Sequence, residues 1–164
     1  MYETHDSPKT STSIRKAMPE DADVVRHIAL SSGIDSWTAG QYCEEAGRSD
    51  AVFLVAHIGP KIVGFVSGRI VPSSVDGLDG EIYNIAVNPV SRGQGIGGEL
   101  LENVIQSFAN CGCNRVWLEV RESNQNAIRF YENNGFTRVT IRRNFYTSPV
   151  ENAVVMKLTL FGKA

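Results

Sequence analysis

Residues 92–98 read Arg92-Gly93-Gln94-Gly95-Ile96-Gly97-Gly98, with four glycines in the last six positions. The preceding stretch, Glu81 to Val87, is apolar and β-branched, which predicts a strand that Pro89 ends. After the glycines, Ile96, Leu100, Leu101, Val104, Ile105 and Phe108 recur at helical spacing, which predicts an amphipathic helix ending near Gly112. A glycine-rich loop between strand and helix suits anions. Glycine lets backbone N–H groups approach a ligand closely, and the helix N-terminus adds the positive end of its dipole. The segment reads as a phosphate cradle, against the plainer alternative of a flexible loop.

Working outward, Ala51–His57 and Lys61–Val71 are apolar runs joined by the turn pair Gly59-Pro60, which predicts a hairpin. Glu81–Val87 adds a third strand of the meander, after a Ser-, Asp- and Gly-rich loop over 72–80. Upstream, Ser13–Ala17 is a short strand. Pro19 opens a helix with Glu20, Asp21 and Asp23 in its first turn, and Gly33 stops it. Thr38 with Gln41 three positions later is a capping box for a second short helix. Downstream come a strand over Arg115–Val120 and a helix over Asn124–Asn133 closed by Asn134-Gly135. Two last strands follow, Phe136–Arg143 and Ala153–Leu160. The order predicts a mixed α/β single domain over 13–164, preceded by a loose polar tail over 1–12.

Composition sets the boundaries. The chain has 164 residues, 42% hydrophobic, with 16 basic and 18 acidic side chains and a net charge of −2. This length buries a core without staples, and the balanced charge argues against a disordered polymer or a dedicated nucleic-acid binder. The longest apolar run, Ala51–Ala56, is far short of the roughly 20 residues that a membrane helix needs. The polar first residues carry no apolar signal core, so a cytoplasmic location is expected. Three cysteines, Cys43, Cys111 and Cys113, fit a reducing compartment, and no spacing assembles four ligands, so no metal is expected. Cys43 reads as an idle or buried thiol rather than as a nucleophile.

Which phosphate ligand the loop takes is a choice between patterns. Gly93, Gly95 and Gly98 match the dinucleotide fingerprint G-x-G-x-x-G, and Glu119 lies near the position of a ribose-binding acid. Against this, Asn88 to Arg92 separate strand from glycines, the preceding strands read as an antiparallel meander, and too little chain follows for a substrate domain. A Walker loop is excluded because no Gly-Lys-Ser or Gly-Lys-Thr follows the glycines. The same residues, as Arg92-x-x-Gly95-x-Gly97, resemble the pyrophosphate loop of the GNAT superfamily of acetyl-CoA-dependent N-acetyltransferases. The flanks Ile82–Pro89 and Trp117–Asn124 resemble the ribosomal-protein-alanine N-acetyltransferases within it. So do Phe130–Phe136, Ile141–Tyr146, and Trp37-Thr38 with Tyr42. The resemblance covers about residues 13–160 and implies the GNAT fold, a single mixed and mostly antiparallel sheet flanked by helices.

The resemblance also implies a chemistry. The backbone of Gly93, Gln94, Gly95, Ile96, Gly97 and Gly98, with Arg92, would hold pyrophosphate. Ile85, Ala86 and Val87 would pair with the pantetheine arm, and one of their N–H groups would meet the thioester oxygen. Asn124 would hydrogen-bond the cofactor or serve as the helix N-cap, or both. Glu119 would be the base that accepts the amine's proton, raised toward the working range by desolvation, or it is a solvated glutamate or an ion pair with Arg121 or Arg142. Tyr131 would contact the cofactor and protonate the departing thiolate, or it is core packing. Transfer would be direct, from acetyl-CoA to a primary amine, most simply a protein N-terminus. A small-molecule amine, or non-catalytic acyl-CoA binding, is the alternative. The acidic loop with Asp76, Asp79 and Glu81 attracts a cationic acceptor or is merely solvated. The protein is expected to act as a monomer or a weak homodimer, without nucleic acid or membrane as partner.

Overall fold

A computed structural model of the protein describes residues 11–160. The expected tail over 1–12 therefore lies outside the described residues, apart from Ser11 and Thr12. β1 (Thr12–Lys16), β2 (Ala51–Ile58), β3 (Lys61–Pro72) and β4 (Leu78–Val87) form an antiparallel meander. Between β1 and β2 the chain makes α1 (Ala22–Ser31) and α2 (Ala39–Ala46). α3 (Ile96–Asn110) leads to β5 (Cys113–Arg121), and α4 (Gln125–Asn133) leads to β6 (Thr137–Thr147) and β7 (Val150–Thr159). The strands form one sheet of seven in the order β1-β2-β3-β4-β5-β7-β6, mixed and mostly antiparallel as expected. Its one parallel pair is β4–β5, the pair that α3 connects. Among the described residues no helix is long and apolar enough to cross a membrane.

The two faces of the sheet are filled differently. The α3 stripe of Ile96, Leu100, Leu101, Val104 and Phe108 joins Ile128 of α4 against Val66, Ile82, Val116, Leu118, Val120 and Met156. Phe108 presses on bare backbone. A Cβ on Gly80 would stand 2.5 Å from its ring, and one on Gly68 would stand 2.8 Å away. On the other face Val25, Ile28 and Tyr42 pack on Phe53, Val55, Phe65 and Ala86. That cover reaches no residue of β5, β6 or β7. Trp117, Glu119 and Arg121, which alternate with the buried Val116, Leu118 and Val120, share this partly open face.

Several boundaries move for identifiable reasons. Pro19–Asp21 is a 3₁₀ turn, not the first turn of α1. The Asp21 carboxylate is occupied there by Arg15 at 2.7 and 3.0 Å and by the Met18 N–H at 2.8 Å, which hold its carboxyl below the usual range. β4 begins at Leu78 rather than Glu81. Asp79, which sequence placed in a solvated loop, is 4% exposed and accepts from Arg115 Nε at 3.1 Å and Trp117 Nε1 at 3.0 Å. β6 runs past Arg143 through an irregular stretch in which Asn144 has φ +52°.

One irregularity makes the site. β4 pairs with β5 from Leu78 to Ile82, and the pairing stops there. From Asn84 to Val87, β4 keeps its partner β3 and, among the described residues, neither these nor Tyr83 has a partner strand on the other edge. The β3–β4 register also shifts between Ser67 and Gly68, leaving Tyr83 as the extra residue. The two parallel strands splay, and a cleft opens between them.

Candidate active site

The cleft measures 880 Å³. Ile82 and the free edge of β4 that follows it, Tyr83 to Val87, form its floor. Ser91 to Gly93 and Gly95 to Gly97 form one wall, and Glu119, Asn124, Phe130 and Tyr131 form the other. One end is closed by Gly33 to Trp37 of the α1–α2 connection and by Phe145 and Tyr146 of β6.

The loop is built as the glycine spacing requires. Gly93 and Gly95 have φ of +78° and +82°, the left-handed region that side chains disfavour. Nothing lies within 4 Å of a Cβ placed on either, so their surfaces are open for a ligand. α3 begins after Gly95 with no side-chain cap, which leaves its first N–H groups unpaired beside the cleft. Such backbone geometry is suited to an anion. Arg92 is not free to join it as a lone charge. Its guanidinium donates to the Val87 carbonyl at 3.1 Å and to Ser32 Oγ at 2.9 Å, tying the loop to β4 and to the end of α1. Arg92, Gly93, Gly95, Ile96 and Gly97 line the cleft, but Gln94 and Gly98 do not. At Gly98 the helix has turned away, and that residue lines a shallow depression with Glu99 and Glu102.

On the opposite wall, Asn124 caps α4. Its Oδ1 accepts from the Ala127 N–H at 3.2 Å. Its amide NH₂ has no partner among the described residues, and Asn124 lines the cleft, so capping leaves the amide nitrogen uncommitted. Tyr131 is 7% exposed, with its ring between Phe130 and Phe136 at centroid distances of 5.3 and 5.6 Å. Among the described residues nothing hydrogen-bonds its hydroxyl. Burial, with a smaller contribution from Tyr146, pushes its phenol well above the ordinary value. The hydroxyl thus stays a proton donor.

Glu119 faces opposite to Leu118 and Val120, as the strand period predicts, and borders the cleft. The burial expected to desolvate it is absent. Its side chain is 34% exposed, and Oε1 accepts from Arg142 Nη1 at 2.5 Å. The Arg142 guanidinium lies 4.4 Å from the Phe145 ring centroid, and that of Arg121 lies 4.2 Å from Tyr146 while also pairing with Glu151.

One group escaped the sequence entirely. Glu45 of α2 is 2% exposed and takes both ends of the Arg69 guanidinium, at 2.8 and 2.5 Å. Arg69 in turn lies 5.8 Å from the ring centroid of Trp37 and 5.3 Å from that of Tyr83, two aromatics of the cleft wall. No motif marks a glutamate and an arginine 24 positions apart.

Comparison with known proteins agrees with this geometry. Residues 22–136 match the acetyltransferase (GNAT) family. Over 142 residues the chain is 33% identical to the ribosomal protein bS18-alanine N-acetyltransferase of Escherichia coli K12, covering 85% of this chain and 92% of that protein. The crystal structure of the Escherichia coli ribosomal-protein-S18-alanine N-acetyltransferase superposes with a TM-score of 0.82 at 29% identity, over 94% of this chain and 97% of that one. Ard1 from Thermoplasma volcanium superposes with a TM-score of 0.80 at 27% identity, over 92% and 99%. A cleft where two parallel strands part, a glycine-rich turn into a helix at one end, and a family match across most of the fold have one common explanation: the chain belongs to the GNAT family of acetyltransferases and is an acyltransferase.

Proposed function

We propose that this acyltransferase moves the acetyl group of acetyl-CoA directly to the α-amino group of a protein or peptide N-terminus. One observation carries the proposal. The unpaired β4 edge from Tyr83 to Val87 runs between a phosphate-ready helix start and the pair Glu119 and Tyr131. An amide-bearing pantetheine arm fits such an edge as an added strand. Gly93 to Gly97 and the start of α3 hold the pyrophosphate, and the Asn124 amide donates to the cofactor. A β4 N–H from the free edge faces the thioester oxygen as charge builds on it. Tyr131 donates its proton to the departing sulfur, and its raised phenol keeps that proton available.

Glu119 accepts the amine's proton. For this, the acceptor must share or displace Arg142, which occupies the carboxylate in the free protein. An α-amine has a pKa near 8 against about 10.4 for lysine, so it presents far more free base near neutrality. The names of the relatives point to the same acceptor class. Direct attack is favoured because no cysteine lines the cleft. Cys43 and Cys111 are exposed elsewhere, and burial pushes the Cys113 thiol up to about 11.

The test compares a peptide beginning with a free Ala against one with a blocked N-terminus and an internal lysine, following CoA release and product mass. Acetylation of the first alone supports the proposal, and preference for the lysine overturns it. Glu119→Gln should slow the first reaction by up to about tenfold at pH 7, since roughly a tenth of an α-amine is already neutral there, and by little at pH 9. An equal rate at pH 7 removes Glu119 from the proton path.

A further inference from the structure

A second pocket of 230 Å³ adjoins the cleft and shares Ile82, Tyr83 and Glu119 with it. It lies on the sheet face that α1 and α2 leave open, beyond the acceptor end. Its floor is the cross-strand pair Glu81 and Trp117, and Val71 and Pro72 at the end of β3 supply apolar wall. Resting on the N-terminal acceptor described above, we propose that this pocket reads a basic side chain of the acceptor peptide, downstream of the reacting amine.

The charges decide the occupant. Three carboxylates border the pocket, Asp79, Glu81 and Glu119. Asp79 is spent on Arg115 and on the Trp117 N–H, and Glu119 is spent on Arg142. Glu81 has no cation within ion-pair distance among the described residues. It accepts a single hydrogen bond, from the Tyr83 hydroxyl at 2.8 Å to Oε2. Arg69 is its direct neighbour on β3, but Glu45 holds that guanidinium instead. Arg115 is likewise committed, to Asp76 and Asp79. Lys157 lies over the Trp117 ring, 5.7 Å from its centroid, and does not line the pocket. A carboxylate with one oxygen left unbonded thus borders a pocket with an aromatic floor and an apolar rim. That arrangement suits a Lys or Arg, whose stem lies along Val71 and Pro72 while its charge meets Glu81 and the indole face. Neutral and acidic side chains gain nothing there, and an acidic one is repelled.

The experiment uses the whole chain with acetyl-CoA and peptides that begin with Ala and carry Arg, Gln or Glu at each of the next three positions in turn. At one of those positions kcat/KM should favour Arg over Gln by roughly fivefold, the size of a partly exposed ion pair. The preference should shrink as salt is raised from about 0.02 to 0.3 M, which requires no variant. Glu81→Gln should abolish it, and Glu81→Lys should turn it into a preference for Glu. A preference for Arg that survives both substitutions, or no preference at any position, overturns the proposal. A series of diamines of increasing length runs in parallel. Turnover of diamines with a Glu81-dependent length optimum, and none of peptides, would retain the pocket as a cation site while overturning both the N-terminal acceptor and its peptide side chain.

Discussion

On the α3 side of the cleft a ligand meets backbone: the N–H groups after Gly95 and the unpaired edge of β4. Elsewhere the lining is side chains braced by ion pairs and stacks: Glu119 with Arg142, Arg121 over Tyr146, and, at the α1–α2 end, Trp37 and Tyr83 in contact with each other and both against Arg69, which Glu45 holds. Backbone offers the same groups whatever the residue type, so the first side suits a cosubstrate that never changes. The second side depends on residue type, so single substitutions there change what the cleft offers, which suits recognition of an acceptor. Each substitution below is chosen to affect one side and leave the other as an internal control.

Tyr131→Phe should have the largest effect. It removes the donor between the two sides and should lower kcat by about 10²–10⁴, the usual worth of general acid help. Acetyl-CoA affinity, measured by calorimetry, should stay within a few-fold. Because burial raises the phenol, the donor form persists above its ordinary value of about 10, so the wild-type rate should show no Tyr131-dependent decline below that pH. An alkaline decline near pH 8 that vanishes in Tyr131→Phe would contradict the burial argument.

Arg69→Met comes next. It leaves the 2%-exposed Glu45 carboxylate with only the more distant Arg48 guanidinium, at 3.9 Å, and should cost about 3 kcal/mol in urea unfolding. Adding Glu45→Gln should recover part of that loss. KM for the acceptor should rise through the released Trp37 and Tyr83, while acetyl-CoA binding holds. Equal losses on both substrates would show that the two sides are not independent.

The smallest effect belongs to Gly95→Ala. The added methyl meets nothing within 4 Å, so the fold should lose only the left-handed strain of about 1–2 kcal/mol. Acetyl-CoA should bind more weakly, with the acceptor KM unchanged. Unaltered acetyl-CoA affinity would mean that phosphate does not touch this turn.

The same contrast explains what could be read in advance. The glycine loop and the α3 stripe are local patterns, in which spacing alone sets backbone geometry. The resemblance likewise rested on contiguous runs. Asp79 was misplaced because its neighbours Asp76, Gly77 and Gly80 have turn composition, whereas its burial is decided by Arg115, 36 positions away. The true extent of β6 was hidden by Asn144, whose left-handed backbone lets the strand bend and continue. For Glu119 the residues alone allowed a base or an ion pair. The Arg142 contact, 23 positions on, makes Glu119 an ion pair, which the proposed acceptor would have to reopen.

The unpaired stretch of β4 has a consequence in isotope exchange. Successive amides in a strand point to opposite edges, so past the bulge every second amide from Asn84 to Val87 faces the cleft while its neighbours bond β3. In deuterated water this short segment should split into fast and slow protons within a single strand, although β4 is central to the sheet. An occupant that pairs with that edge would slow the fast set and leave the slow set unchanged. The protein thus carries its own occupancy gauge in the middle of its sheet, readable without any chemical turnover.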